Sequence, residues 1–123
     1  MRRVFWITVV AVPAGVLWFV TAGWSVAVVA SGSMRPAIRP GDVMIMAPAR
    51  ACGDRDIVTF RTPGRPMLHR IVGVDGAGRL ITKGDANLVA DAAPVPRSAV
   101  TGVAVWRVPY AGWPALWLVR SRR

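Results

Sequence analysis

The sequence predicts a small, mainly β domain with a transmembrane helix before it and a short apolar segment after it. Three observations predict this. Residues 4–30 (VFWITVVAVPAGVLWFVTAGWSVAVVA) carry no charged side chain. Five short runs rich in Val, Ile and Thr follow, broken by clusters of Gly, Pro and Asp, which is the pattern of short β-strands joined by turns. Residues 108–119 (VPYAGWPALWLV) are uncharged again and lead into Arg120, Arg122 and Arg123. A chain of 123 residues has room for one small domain. The expected division is a cytoplasmic N-terminus and membrane anchor (1–30), an extracytoplasmic β domain (31–108), and an interfacial or partial membrane segment with a basic tail (109–123).

The anchor comes first. Its 27 uncharged residues exceed the roughly 20 that a spanning helix needs, and a helix of that length would be about 40 Å long. Pro13, Gly15 and Gly23 are tolerated in a spanning helix. A cleaved secretory signal is the alternative, but its apolar core runs about 7–15 residues. Arg2 and Arg3 precede the run, so the N-terminus is expected in the cytoplasm and the remainder outside. At the other end, 12 uncharged residues are few for a second span. Trp113 and Trp117 suit the headgroup region. A full second span starting near Thr101 would have to bury Arg107.

Between these segments the expected strands are 42–48 (DVMIMAP), 56–60 (DIVTF), 67–74 (MLHRIVGV), 79–83 (RLITK) and 99–108 (AVTGVAVWRV). Asp75-Gly76-Ala77-Gly78 turns the third into the fourth as a hairpin. A two- or four-residue loop gives pairs whose numbers sum to 153. His69 then faces Gly84, flanked by Lys83 and Asp85, and shares a strand face with Met67 and Ile71.

Fifteen arginines and one lysine against six aspartates give a net charge of +10. In an anchored chain such a surplus suits anionic headgroups. Nucleic acid is the competing partner of a basic chain, but no basic stripe with interleaved aromatics is present and the anchor argues against it. Cys52 is the only cysteine, so no internal disulfide can form. Arg50 and Arg55 lie near it in sequence, yet a buried bystander thiol is the expectation.

The candidate chemistry is nucleophilic. A serine hydroxyl needs a base within hydrogen-bond reach, and the chain offers one His and one Lys. Ser31-Gly32-Ser33 follows the apolar run immediately and supplies one attacking hydroxyl and a second donor. Taken together, "SGSMRP", "GDVMIM", "DIVTF", "HRIVGV" and "TKGDAN", with Asp91 six residues after Asp85, make the chain similar to the type I signal peptidases. Within them it resembles the endoplasmic-reticulum and archaeal branch, which uses a Ser–His pair. The resemblance covers about residues 5–115, and "RVPYAGW" is similar to that branch's lead-in to a C-terminal membrane segment.

The resemblance implies a membrane-bound serine endopeptidase that removes signal peptides from secreted or membrane-inserted preproteins after small residues, at the outer membrane surface. It makes Ser33 the nucleophile and His69 the general base. Ser31 becomes the hydroxyl that helps hold the oxyanion together with the Ser33 backbone N–H. Asp85 and Asp91 match two aspartates with roles in this branch, and which of them orients His69 is left open. Met34 is a candidate wall of a substrate pocket. No metal and no cofactor is implied. The implied partners are signal peptides, the lipid bilayer and the secretion translocon, with no nucleic acid. Two alternatives remain beside it: a Ser–Lys maturation peptidase using Lys83, and a non-catalytic anchored β module.

Overall fold

The computed structural model describes residues 2–49 and 52–121. Arg50, Arg122 and Arg123, weighed above, lie outside the described residues. Helix α1 (Arg2–Thr21) leads into strands β1 (Ser25–Val28), β2 (Val43–Pro48), β3 (Ile57–Phe60), β4 (Met67–Val74), β5 (Leu80–Lys83) and β6 (Val100–Val108), and helix α2 (Trp113–Ser121) follows. The strands form one antiparallel sheet in the order β1-β2-β6-β3-β4-β5. Each of the five runs read from the sequence is a strand, with no boundary off by more than one residue.

The anchor is corrected. The helix expected to reach Ala30 stops at Thr21, and its end is built to stop. Trp24 N–H donates to Phe19 O at 3.0 Å and Gly23 N–H to Val20 O at 3.1 Å. Gly23 has φ +85°, and the Phe19 and Trp24 rings pack with centroids 5.9 Å apart. This is the helix-ending motif in which a left-handed glycine turns the chain and an apolar contact seals the turn. The β-branched residues beyond it pair with β2 instead, from Ser25↔Met46 to Val28↔Val43. Among the described residues, no helix is long and apolar enough to cross a membrane.

The stretch from Thr101, weighed above as the start of a full second span, is a strand. Thr101 to Val108 lie in β6, which pairs with β2 on one side and β3 on the other, so they are committed to the sheet. The apolar residues after them form α2, whose Trp113 indole rests on Gly41: a Cβ there would lie 2.6 Å from the indole nitrogen.

Two irregularities lie in the ladders on either side of β6. The register slips between Ile45 and Met46 in the β2–β6 ladder and between Thr59 and Phe60 in the β3–β6 ladder; bulges of this kind kink a strand and raise its twist. β1 and β4, with three strands between them in the sheet, line one common cavity. The core has two parts. Val58, Phe60, Ile71, Leu80, Val95 and Val100 form one with Cys52; Val29, Met34, Ile38, Met44 and Met46 form the other.

In the β4–β5 hairpin the expected register holds next to His69, with Arg70↔Lys83 and Ile71↔Thr82, and slips by one to Gly73↔Ile81 and Val74↔Leu80. Asp75 N–H bonds Arg79 O at 2.9 Å, which leaves a three-residue turn rather than the two or four expected. Such turns are common in hairpins, and the extra residue, Val72, absorbs the difference as a bulge.

Candidate active site

On β4, alternation sends His69 and Ile71 inward and Arg70 outward. His69 is 2% exposed. It pairs with Val58 on β3, and its ring meets Phe60 edge-on, centroids 6.3 Å apart. An imidazole so enclosed needs a polar partner, and Asp91 supplies it: Nδ1 lies 2.6 Å from Oδ2. Asp91 is itself fixed twice by buried Thr82. The Thr82 hydroxyl donates to the same Oδ2 at 2.7 Å, and Asp91 N–H donates to Thr82 O at 2.8 Å. The other ring nitrogen, Nε2, is buried and has no hydrogen-bond partner among the described residues.

The serines sit on the link between β1 and β2. This link closes on itself through Val29 N–H to Asp42 O and Gly41 N–H to Val29 O, both 2.9 Å. Met34 and Ile38, 1% and 2% exposed, plug it into the core. Asp42 caps a turn by accepting from Arg39 N–H at 3.0 Å. It also binds Arg107 Nη1 at 3.4 Å and Tyr110 N–H at 3.3 Å, tying the link to the end of β6. The Ser31 and Ser33 hydroxyls are 3.3 Å apart. The Ser33 carbonyl accepts Ala86 N–H at 2.8 Å, and the Gly84 backbone is pressed so close that a Cβ would stand 2.6 Å from that oxygen. Only glycine fits such an approach.

Ser31, Ser33, Met34 and His69 all line one cavity of about 380 Å³. Its walls are mostly apolar: the chain from Ala27 to Ala30 on one side, Pro66, Met67 and Leu68 on the other. A mainly apolar cavity with a few converging polar groups is the usual form of a ligand site.

The two aspartates part company. Asp91 meets His69, whereas Asp85 accepts two parallel bonds from Arg70, Nε to Oδ1 and Nη2 to Oδ2, each 2.9 Å. The guanidinium holds the Asp85 carboxyl below the usual carboxylate range, and the carboxylate in turn raises Arg70. Lys83 pairs with Arg70 in the ladder, on the strand face opposite His69, and its amine donates to Gly84 O at 3.2 Å. Cys52 is buried. Sequence reasoning passed over Thr82, Arg70 and the Ala86 N–H. Thr82 carried a usable signal: it alternates with Leu80 on the face of β5 that the predicted register sets beside His69 and Ile71.

The model of the family described as signal peptidase, peptidase S26, matches residues 1–102. The chain is 32% identical over 108 residues to the signal peptidase complex catalytic subunit SEC11 of Pyricularia oryzae, covering 76% of this chain and 63% of that relative. It is 31% identical to sec11 of Sclerotinia sclerotiorum, with the same coverage. It is 39% identical over 74 residues to the human catalytic subunit SEC11C, covering 54% of this chain and 38% of that protein. The chain therefore spans under two thirds of the length of these relatives.

Proposed function

Because the chain belongs to the peptidase S26 family of signal peptidases, we propose that it is a membrane-bound serine endopeptidase that removes signal peptides from preproteins after small residues. The observation that carries this reading is the shared cavity. Ser33 and His69 both line it, and the His69 imidazole is tied to a carboxylate at Nδ1 and unpartnered at Nε2 among the described residues.

In this reading the Ser33 hydroxyl turns from Ser31 toward His69. With Nδ1–H donated to Asp91, Nε2 carries the lone pair and accepts the hydroxyl proton. Ser33 Oγ attacks the carbonyl of the last signal-peptide residue, and the oxyanion is held by the Ser31 hydroxyl and the Ser33 N–H. The imidazolium then gives its proton to the leaving amine. Water, deprotonated by the same nitrogen, releases the acyl group. Asp91 steadies the ring and its charge throughout. The substrate lies extended beside β1 and pairs with its backbone, as peptides added to a sheet edge do, and Met34 forms part of the floor. The Ser–Lys alternative has less support, because the Lys83 amine is bonded to Gly84 O on the other face of β5.

The same reading puts the protein in the membrane, N-terminus in the cytoplasm and residues 31–108 as the extracytoplasmic catalytic unit. α1 exposes Ile7, Val10, Leu17, Trp18 and Val20 around its circumference, each more than 60% exposed, and an all-round apolar helix finds no stable place in water. The outer sheet face adds two apolar rows, Val26–Ile45–Trp106 and Val28–Val43–Val108, with Trp106 69% exposed. The names of the relatives support a preprotein as substrate and leave the secretion translocon as a candidate partner. Purified protein in detergent, given a preprotein, should cut once after a small residue, as mapped by mass spectrometry, and Ser33→Ala should abolish the cut. An uncut preprotein with the wild-type chain would favour a non-catalytic β module.

A further inference from the structure

The 84–91 segment touches the site at three points. Asp91 reaches His69 at one end, Ala86 N–H holds the Ser33 carbonyl in the middle, and Asp85 is gripped by Arg70 at the other end. Arg70 and His69 are consecutive on β4, so a single strand holds both carboxylates of this segment, one from each face. Arg70 is well placed to hold firmly. Its backbone is paired on both sides, with Ile57 and with Lys83, and its third contact is Nη1 to Arg55 O at 2.9 Å.

We propose that the Arg70–Asp85 pair is a positioning clamp for the nucleophile: it seats the Gly84–Asn87 turn against the Ser33 carbonyl and so sets the distance between Ser33 and His69. This rests on the roles given to Ser33 and His69 above and assigns Asp85 a part distinct from that of Asp91. An ion pair this near the surface contributes little to stability. A two-pronged guanidinium–carboxylate fork does fix orientation, and the Gly84 contact transmits that orientation directly, since there is no side chain between the turn and the Ser33 oxygen. Lysine cannot replace Arg70, because a point cation cannot grip both carboxylate oxygens at once.

The test uses the full chain in detergent with a preprotein substrate. Rates are taken per folded molecule, the folded fraction coming from tryptophan fluorescence. Asp85→Asn and Arg70→Gln should each lower kcat on the order of 100-fold, the scale of a 1 Å misplacement of reacting groups. KM should stay where it is, so that the loss falls on kcat alone. The double variant should be no worse than either single one, because the clamp acts as a unit. Arg70→Lys should resemble Arg70→Gln, while Asp85→Glu, which keeps the fork and guards against a variant that fails to fold, should recover part of the loss. An unchanged kcat per folded molecule, additive losses, or a loss carried by KM rather than kcat would overturn the clamp. Cleavage that survives Ser33→Ala or His69→Ala would instead overturn the catalytic assignment, and the clamp with it.

Discussion

Asp91 Oδ2 lies 2.6 Å from His69 Nδ1 and 2.7 Å from the Thr82 hydroxyl. One carboxylate oxygen therefore joins a strand of the hairpin to the ring on its neighbour. With Asp91 ionised, Nδ1 must be the protonated nitrogen and Nε2 the base. Asp91→Asn keeps the shape and removes both the charge and the tautomer preference. In a Ser-His-Asp triad the corresponding change costs about 10⁴ in kcat, and a loss of about 10³–10⁴ is expected here. Steady-state kinetics would check it. A variant with wild-type kcat would remove Asp91 from the mechanism.

Thr82 is the quieter member of this group. It is fully buried, and its hydroxyl has a single acceptor, Asp91. Thr82→Val preserves the volume and deletes the donor, leaving the carboxylate held by the ring alone. A kcat loss of about 10-fold is expected, with a cost of about 1–3 kcal/mol in stability for the unmade bond. Denaturant unfolding run alongside the cleavage assay separates the two effects.

Ser31 supplies a side-chain hydroxyl 3.3 Å from that of Ser33. As an oxyanion donor it should matter only as charge develops on the carbonyl. Ser31→Ala should therefore reduce kcat about 10²–10³-fold with little change in KM. A rise in KM at constant kcat would make Ser31 a substrate contact instead.

Much of this was legible in the sequence, and the failures have physical causes. The strands announced themselves because turn residues bracket each apolar run, as Asp75 to Gly78 do between β4 and β5. The hairpin register read from the sequence holds where Arg70 pairs with Lys83, but Lys83 and Asp85 turn to the Arg70 face of the ladder and leave His69 to Asp91. The end of α1 was not legible, because residues 25–30 are as apolar as those before them. What separates the two stretches is the backbone closure at Gly23 and the long-range pairing of β1 with β2. Telling Asp85 from Asp91 was equally out of reach. Both lie just past β5, and only the path of residues 86–90 decides which carboxylate faces the ring and which the guanidinium.

Gly84 leads to a fourth prediction. A methyl group there would sit 2.6 Å from Ser33 O and 2.7 Å from Asn87 Nδ2. The amide can swing away, but the Ser33 carbonyl is backbone and is also held by Ala86 N–H. Gly84→Ala should thus push the nucleophile's turn outward while leaving the sheet intact. Activity should fall on the order of 100-fold while the fluorescence melt changes little. Normal activity would mean that the turn moves without disturbing Ser33.

The last prediction concerns acid. Arg70 lowers the Asp85 carboxyl from its ordinary value through two hydrogen bonds and its charge. A group whose folded value lies below its unfolded one contributes stability that is fully present above the unfolded value, near 3.8. That contribution drains away as the pH falls through the lowered folded value. Asp85 is partly open to solvent, 20% by side chain, so the contribution is modest, but its pH signature is distinctive. Between neutral pH and about pH 5 the stability difference between wild type and Asp85→Asn should be constant. Below about pH 4 the wild type should lose stability faster than the variant, and the two curves should converge. Urea unfolding at several pH values from 3 to 7 would measure it. Parallel curves throughout that range would mean that Asp85 and Arg70 do not pair in solution.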